Sequence, residues 1–148
     1  MITRQIRDSD AEEVADIIKQ CLQENNAEHY PDFIIDHLNE TYTPEYIMEN
    51  AKKQIVLVAE ELDEIIATAT FARDHFGSIF VRPDHQKRGI GKKLMEALEK
   101  LAKKNGIKEV RLHASINAVE FYEKLGYERL GLRKDDVFGT SWEMTKKL

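Results

Sequence analysis

The sequence predicts an α/β domain of the mixed α+β kind, with helices packed on the faces of a mixed sheet. Three apolar runs at 55–59, 65–71 and 77–81 follow one another through short turns, as antiparallel strands do. Two later runs, 110–114 and 127–132, instead alternate with helical stretches at 91–104 and 117–125. Hairpin order followed by strand-helix-strand order fits neither a pure doubly wound fold nor a sandwich.

Taken from the N-terminus, residues 2–6 suit a short first strand, and Ser9 or Asp10 is placed to cap the helix that follows. In that helix Val14, Ile17, Ile18, Cys21 and Leu22 form one apolar face. Cys21 is thus expected in the core, as a small hydrophobe rather than a nucleophile. Residues 25–31 read as a loop, with short helices at 32–38 and 44–48. The run at 55–59 suits a strand covered on both faces, and residues 61–64 turn it back into 65–71. The run at 77–81 stops at Arg82-Pro83, because proline cannot donate to a ladder. Residues 91–104 carry the strongest helical pattern, closed by Asn105-Gly106. A short helix at 117–125 ends at Gly126, and 127–132 with 137–145 form a last strand pair.

Composition agrees with one domain over residues 1–148. With 42% hydrophobic and 33% charged residues, a chain of this length buries about 70% of its unfolded surface without disulfide or structural metal. The lone Cys21 cannot form an internal bridge. The absence of an apolar run of about 18 residues, or of a signal-like start, leads to the expectation of a cytoplasmic protein off the membrane. A net charge of −5 argues against a nucleic-acid partner. The charge is unevenly placed: residues 8–64 hold 16 acidic and three basic side chains, whereas 86–104 hold seven basic and two acidic.

The basic stretch is where a strand ends, a turn with Gly89 and Gly91 follows, and the long helix begins. Unpaired N–H groups and the positive end of the helix dipole make such a junction an anion site, above all for phosphate. Lys87, Arg88, Lys92 and Lys93 add formal charge. The spacing is not that of a P-loop, because one residue separates Gly89 from Gly91-Lys92 and Lys93 follows. It is not the dinucleotide fingerprint either, since Leu94 stands where a third small residue is needed. By itself the pair of glycines equally fits a tight turn under a solvated basic face.

Gln86-Lys87-Arg88-Gly89-Ile90-Gly91 resembles the (Gln/Arg)-x-x-Gly-x-(Gly/Ala) motif of the GNAT superfamily, the GCN5-related N-acetyltransferases. Asn117-Ala118-Val119-Glu120-Phe121-Tyr122, with Gly126-Tyr127 after it, resembles the family's Asn-Ala-x-x-Phe-Tyr-x-x-x-Gly-Phe segment. The resemblance implies a central mixed sheet of six to seven strands with about four helices, and N-acetyl transfer from acetyl-CoA to a small-molecule or peptide amine. It places the pyrophosphate on the N–H groups of Arg88 to Lys92, with Gln86 and Lys87 opening the loop. Pantetheine would pair with the backbone of Ile79, Phe80 and Val81, where an N–H near Phe80 or Val81 would polarise the thioester carbonyl. Asn117 would touch pantetheine, and with Glu120 it also has the spacing of a helix cap. Tyr122 would protonate the leaving thiolate, since a phenol keeps its proton at neutral pH. The family also allows a homodimer.

No carboxylate occurs in 77–81, where many family members place their base. Water, His113, Asp74, His75 or a residue of the first helices stand as alternatives. The same gap supports a rival reading, a non-catalytic acyl-CoA-binding module; a thiol route through Cys21 is opposed by its place on the buried helix face. The histidines show no zinc spacing, so no metal is expected. The acidic segment, with Glu28, Asp32, Asp36 and Glu40 and flanked by Tyr30, Tyr42 and Tyr46, either draws in a cationic amine or is an ordinary solvated surface.

Overall fold

A computed structural model of the chain describes residues 1–136 and 139–148. Seven strands form one sheet: β1 (Ile2–Gln5), β2 (Ile55–Glu61), β3 (Glu64–Ala72), β4 (His75–Val81), β5 (Glu109–Ser115), β6 (Glu128–Asp135) and β7 (Gly139–Lys147). Their order across the sheet is β1-β2-β3-β4-β5-β7-β6. Every neighbouring pair is antiparallel except β4 with β5. The helices are α1 (Ala11–Cys21), α2 (Asp32–Thr41), α3 (Pro44–Ala51), α4 (Ile90–Lys104) and α5 (Val119–Lys124). Among the described residues this mixed sheet with its helices is the architecture that the resemblance implied. No helix is long and apolar enough, among the described residues, to cross a membrane.

Alternation along β2 separates two cores. Leu57 and Ala59 pack into the cluster of α4 and α5, with Phe76, Leu94, Leu98, Leu112 and Met144, whereas Val58 faces α1 to α3 with Ile17, Ile18, Ile35 and Ile47. β2 turns into β3 through Leu62 and Asp63, both in the left-handed region (φ 52° and 63°), the geometry of a tight hairpin.

Three expectations change. Asp10 does not cap α1 in the forward direction. Its carboxylate, 8% exposed, accepts from Arg4 Nη1 at 2.7 Å and Nη2 at 3.1 Å, and from the Arg7 N–H at 2.7 Å, pinning the end of β1 to the start of α1. Asn25 and Asn26 are not loop: α1 continues into a π-helical turn, Leu22–Asn26. Asn117 does not cap α5, which starts at Val119 without a side-chain cap bond. The last strand is described from Gly139, so Val137 and Phe138 of the expected 137–145 strand lie outside the described residues.

The hydrogen bonds from Arg4 hold the Asp10 carboxyl below the usual carboxylate range. Asp10→Ala should therefore cost about 2–3 kcal/mol in urea unfolding at pH 7. Because the folded-state pKa is depressed, that contribution is present above about pH 4 and is lost as pH falls through the folded value. The gap between wild type and variant should accordingly narrow in acid.

Candidate active site

β4 and β5 are paired only at His75 with Arg111 and Phe76 with Leu112. Beyond these pairs β5 stays bonded to β7, up to Ser115 with Ser141, while β4 stays bonded to β3. The two strands thus part toward their C-terminal ends, leaving an open backbone edge on β4. A bulge assists the parting: Thr70 faces Gly77 and Thr68 faces Phe80, so Ser78 and Ile79 share one position opposite Ala69, with Ser78 at φ 46°. The Arg82 N–H donates to Ile66 O at 2.8 Å, so by alternation Phe80 also turns its N–H to β3 while Val81 turns its own to the open edge. Of the two expected carbonyl-polarising groups, geometry favours the Val81 N–H.

After Val81 the chain makes a helical turn at Pro83–His85 and enters α4. No backbone partner holds the N–H groups of residues 87–92 among the described residues; the first α4 bond runs from Lys93 to Gly89 O at 3.1 Å. Lys87 and Gly89 adopt left-handed conformations (φ 62° and 78°), which curl these donors into a common cup at the α4 N-terminus. Gly91 is small for another reason: a Cβ there would stand 3.0 Å from Phe121 Cζ, so it makes room for α5. Lys87, Lys92 and Lys93 are exposed, and Arg88 pairs with Glu61 at 3.3 Å. Ile90 is buried beneath α4 and supports the turn from inside rather than facing outward.

Gln86 and Asn117 spend their side chains on the protein. Gln86 Nε2 donates to Val81 O at 2.9 Å and to Asn25 Oδ1 at 2.8 Å, and Asn117 Nδ2 donates to Asn25 O at 3.0 Å. Cys21 also donates to Val81 O, at 3.0 Å, so that carbonyl has two donors already. Burial pushes the Cys21 thiol up to about 12, which removes a thiolate route.

Tyr122 lies on α5, buried at 6% exposure and edge-on to Phe121 and Tyr127. Burial raises its phenol above the ordinary value, and no protein hydrogen bond to its hydroxyl is present among the described residues. On the opposite face of the sheet the His75 and His113 rings meet at 5.0 Å, edge to face. They flank the level of Gly77, a floor that close neighbours keep bare of a side chain: a Cβ there would lie 3.1 Å from Thr70 Oγ1 and 3.7 Å from the His75 ring. Next to this floor Tyr42 hydrogen-bonds Ser78 Oγ at 3.1 Å, and both border a small pocket with Thr68 and Thr70. Tyr30 closes the far side, donating to Thr140 O at 2.7 Å and accepting from the Ile116 N–H at 3.2 Å. Its ring covers Gly139, where a Cβ would stand 2.7 Å away. Tyr46 packs edge-on against Tyr42, and Glu28, Asp32, Asp36 and Glu40 are exposed.

A family model for the acetyltransferase (GNAT) domain matches residues 9–148. Glucosamine 6-phosphate N-acetyltransferase of Schizosaccharomyces pombe is 37% identical over 90 residues, 52% of this chain and 81% of that one. A Bacillus subtilis protein named as an acetyltransferase is 43% identical over 49 residues, and the chain spans 33% of that relative's length. Among solved structures, a GCN5-related N-acetyltransferase from Rhodopseudomonas palustris superposes with a TM-score of 0.93 at 26% identity, covering 99% of this chain and 95% of that one. The PaiA N-acetyltransferase of Thermoplasma acidophilum, solved with coenzyme A, shares the fold at a TM-score of 0.78 and 23% identity, covering 99% and 98%.

Burial holds His75 and His113 below the ordinary histidine value, and for His75 the neighbouring His113 charge adds to it; Asp74 and Glu143 pull the other way, and Arg133 reinforces the lowering. Arg111, the register partner of His75, also faces the pair. A depressed folded-state pKa means that the unfolded chain binds protons first, so the contribution is present above about pH 6.5 and is lost as pH falls from there through the folded value. The melting temperature should drop between pH 7 and 5.5, and a His75→Gln, His113→Gln double variant should show a flatter profile.

Proposed function

The chain belongs to the GNAT acetyltransferase family, and from that membership we propose that residues 1–148 act as one catalytic unit, transferring the acetyl group of acetyl-CoA to a primary amine by direct attack in a ternary complex. The observation that carries the reading is the open edge of β4, which leads directly into the unpartnered N–H groups of residues 87–92. A strand-like pantetheine arm and a pyrophosphate need these two features in this order. PaiA, which shares the fold, was solved with coenzyme A.

In this reading the 87–92 donors hold the pyrophosphate within the field of Lys87, Lys92 and Lys93. The pantetheine arm runs along the open edge at Ile79, and the Val81 N–H polarises the thioester carbonyl as negative charge develops on its oxygen. The amine attacks the carbonyl carbon, the tetrahedral intermediate collapses, and the C–S bond breaks to release the thiolate. Tyr122 donates its phenolic proton to that sulfur and regains one, through solvent, from the positively charged nitrogen of the collapsing intermediate, so the products are the amide and a neutral thiol. The raised pKa of Tyr122 makes it a hydrogen-bond donor that stays protonated at neutral pH.

An alkylammonium must first lose a proton, at a cost of about 4–5 kcal/mol at pH 7. The His75–His113 pair is neutral at that pH and borders the floor at Gly77, so it accepts the proton in place of a carboxylate. The exposed acidic residues of α2 and the segment before it favour a cationic acceptor, such as a polyamine, an amino sugar or a lysine side chain.

Acetyl-CoA at about 100 times its dissociation constant should add about 2.7 kcal/mol, a rise of several degrees in melting temperature, with no such rise from ATP or NAD. Equal shifts with all three would sink the assignment. Tyr122→Phe should keep that stabilisation and lower kcat about a hundredfold, read as thiol release with a panel of amines differing in charge. Binding without turnover on any amine would favour the non-catalytic module.

A further inference from the structure

Asn25 makes a set of contacts that neither sequence motif explains. It sits in the π-helical turn Leu22–Asn26, and both it and Cys21 reach the end of β4, Cys21 through Val81 O and Asn25 through Gln86. Its side-chain amide forms a reciprocal pair with Gln86: Oδ1 accepts from Gln86 Nε2 at 2.8 Å, and Nδ2 donates to Gln86 Oε1 at 3.3 Å. Its backbone carbonyl accepts from Asn117 Nδ2 at 3.0 Å. One residue of the first helical segment therefore ties the loop after β4 to the connection after β5. These are the two chain segments that the parting of the strands leaves without backbone pairing to each other.

We propose that Asn25 is a positioning residue for acetyl-CoA, a role that rests on the acetyltransferase reading above. By gripping Gln86 it sets the start of the 87–92 cup, and by gripping Asn117 it sets the distance between the ends of β4 and β5. The cup includes Lys87 in a left-handed conformation and has no ladder of its own, so without an anchor it samples many shapes. Only the converging shape offers its donors to one anion. A loop already held in that shape binds more tightly, because the ordering cost is met before the ligand arrives. Val81 O takes Gln86 and Cys21 as donors, so the same grip leaves the Val81 N–H as the open polar group of that residue.

Calorimetric titration with coenzyme A tests this without an identified acceptor. Asn25→Ala should weaken binding about tenfold, the effect of losing the two amide bonds. Asn25→Gln, which keeps the amide, should recover part of the loss. Asn25→Ala combined with Gln86→Ala should bind no more weakly than Gln86→Ala alone, because the Asn25 amide acts through Gln86. A merely structural residue would lower the ligand-free melting temperature and leave the coenzyme A affinity alone. Unchanged affinity in Asn25→Ala, or full additivity in the double variant, would overturn the role of Asn25 while the family-based reading stands. If the alanine variant does not fold, Asn25→Gln decides: weaker binding at an unchanged melting temperature supports the role, and wild-type affinity overturns it. No coenzyme A binding by the wild type would overturn both.

Discussion

Parallel strands that stayed paired along their whole length would consume every backbone group between them. Here β4 and β5 share two residue pairs and then separate, and much of the candidate site follows from that limit. The two pairs are held by what lies around them: Phe76 is buried against Phe71 and the α4 core, and the Arg111 N–H reaches back to Asp74 O at 2.8 Å. Past this point the bulge at Ser78 and Ile79 turns β4 with β3, while β5 follows β7. The sheet stays continuous at its base and opens at its top.

Opening a sheet exposes polar backbone, which is tolerated where water or a ligand can reach it and costly where neither can. The chain meets this condition with side-chain amides. Gln86, Asn25 and Asn117 satisfy one another and Val81 O across the gap, leaving the donors of 87–92 and the edge of β4 on the exposed side. Two of the three amides belong to motifs that the sequence marks as ligand-binding, yet in the structure they brace the frame that would receive the ligand.

Most of the fold was legible because it rests on periodicity. The apolar stripe of α4, the β-branched run of β2 and the punctuation at Pro83, Gly106 and Gly126 are local signals, and the elements stand where those signals put them. The cup at 87–92 was legible for the same reason, as a strand, a glycine turn and a helix in succession. What could not be read depends on contacts distant in sequence. Asn25 carries no pattern that announces its pairing with a residue 61 positions away, and a π-helical turn breaks the helical period that might have placed it. The space around Gly91 is set by Phe121 on another helix, and that around Gly139 by Tyr30. Asp10 looked like a forward cap because spacing does not reveal that Arg4 holds its carboxylate from behind.

The proton inventory follows from one further physical effect. Burial disfavours whichever form is charged, so it raises a phenol and lowers an imidazole. Tyr122 is buried in the core of α4 and α5, and burial keeps its proton on. His75 and His113 stand on the other face of the sheet, and burial keeps their protons off. Burial first of all thus sets a protonated donor on one side of the parted strands and neutral acceptors on the other. The proposed transfer needs this polarity: a proton leaves the incoming amine on the acceptor side, and a proton meets the departing sulfur on the cofactor side.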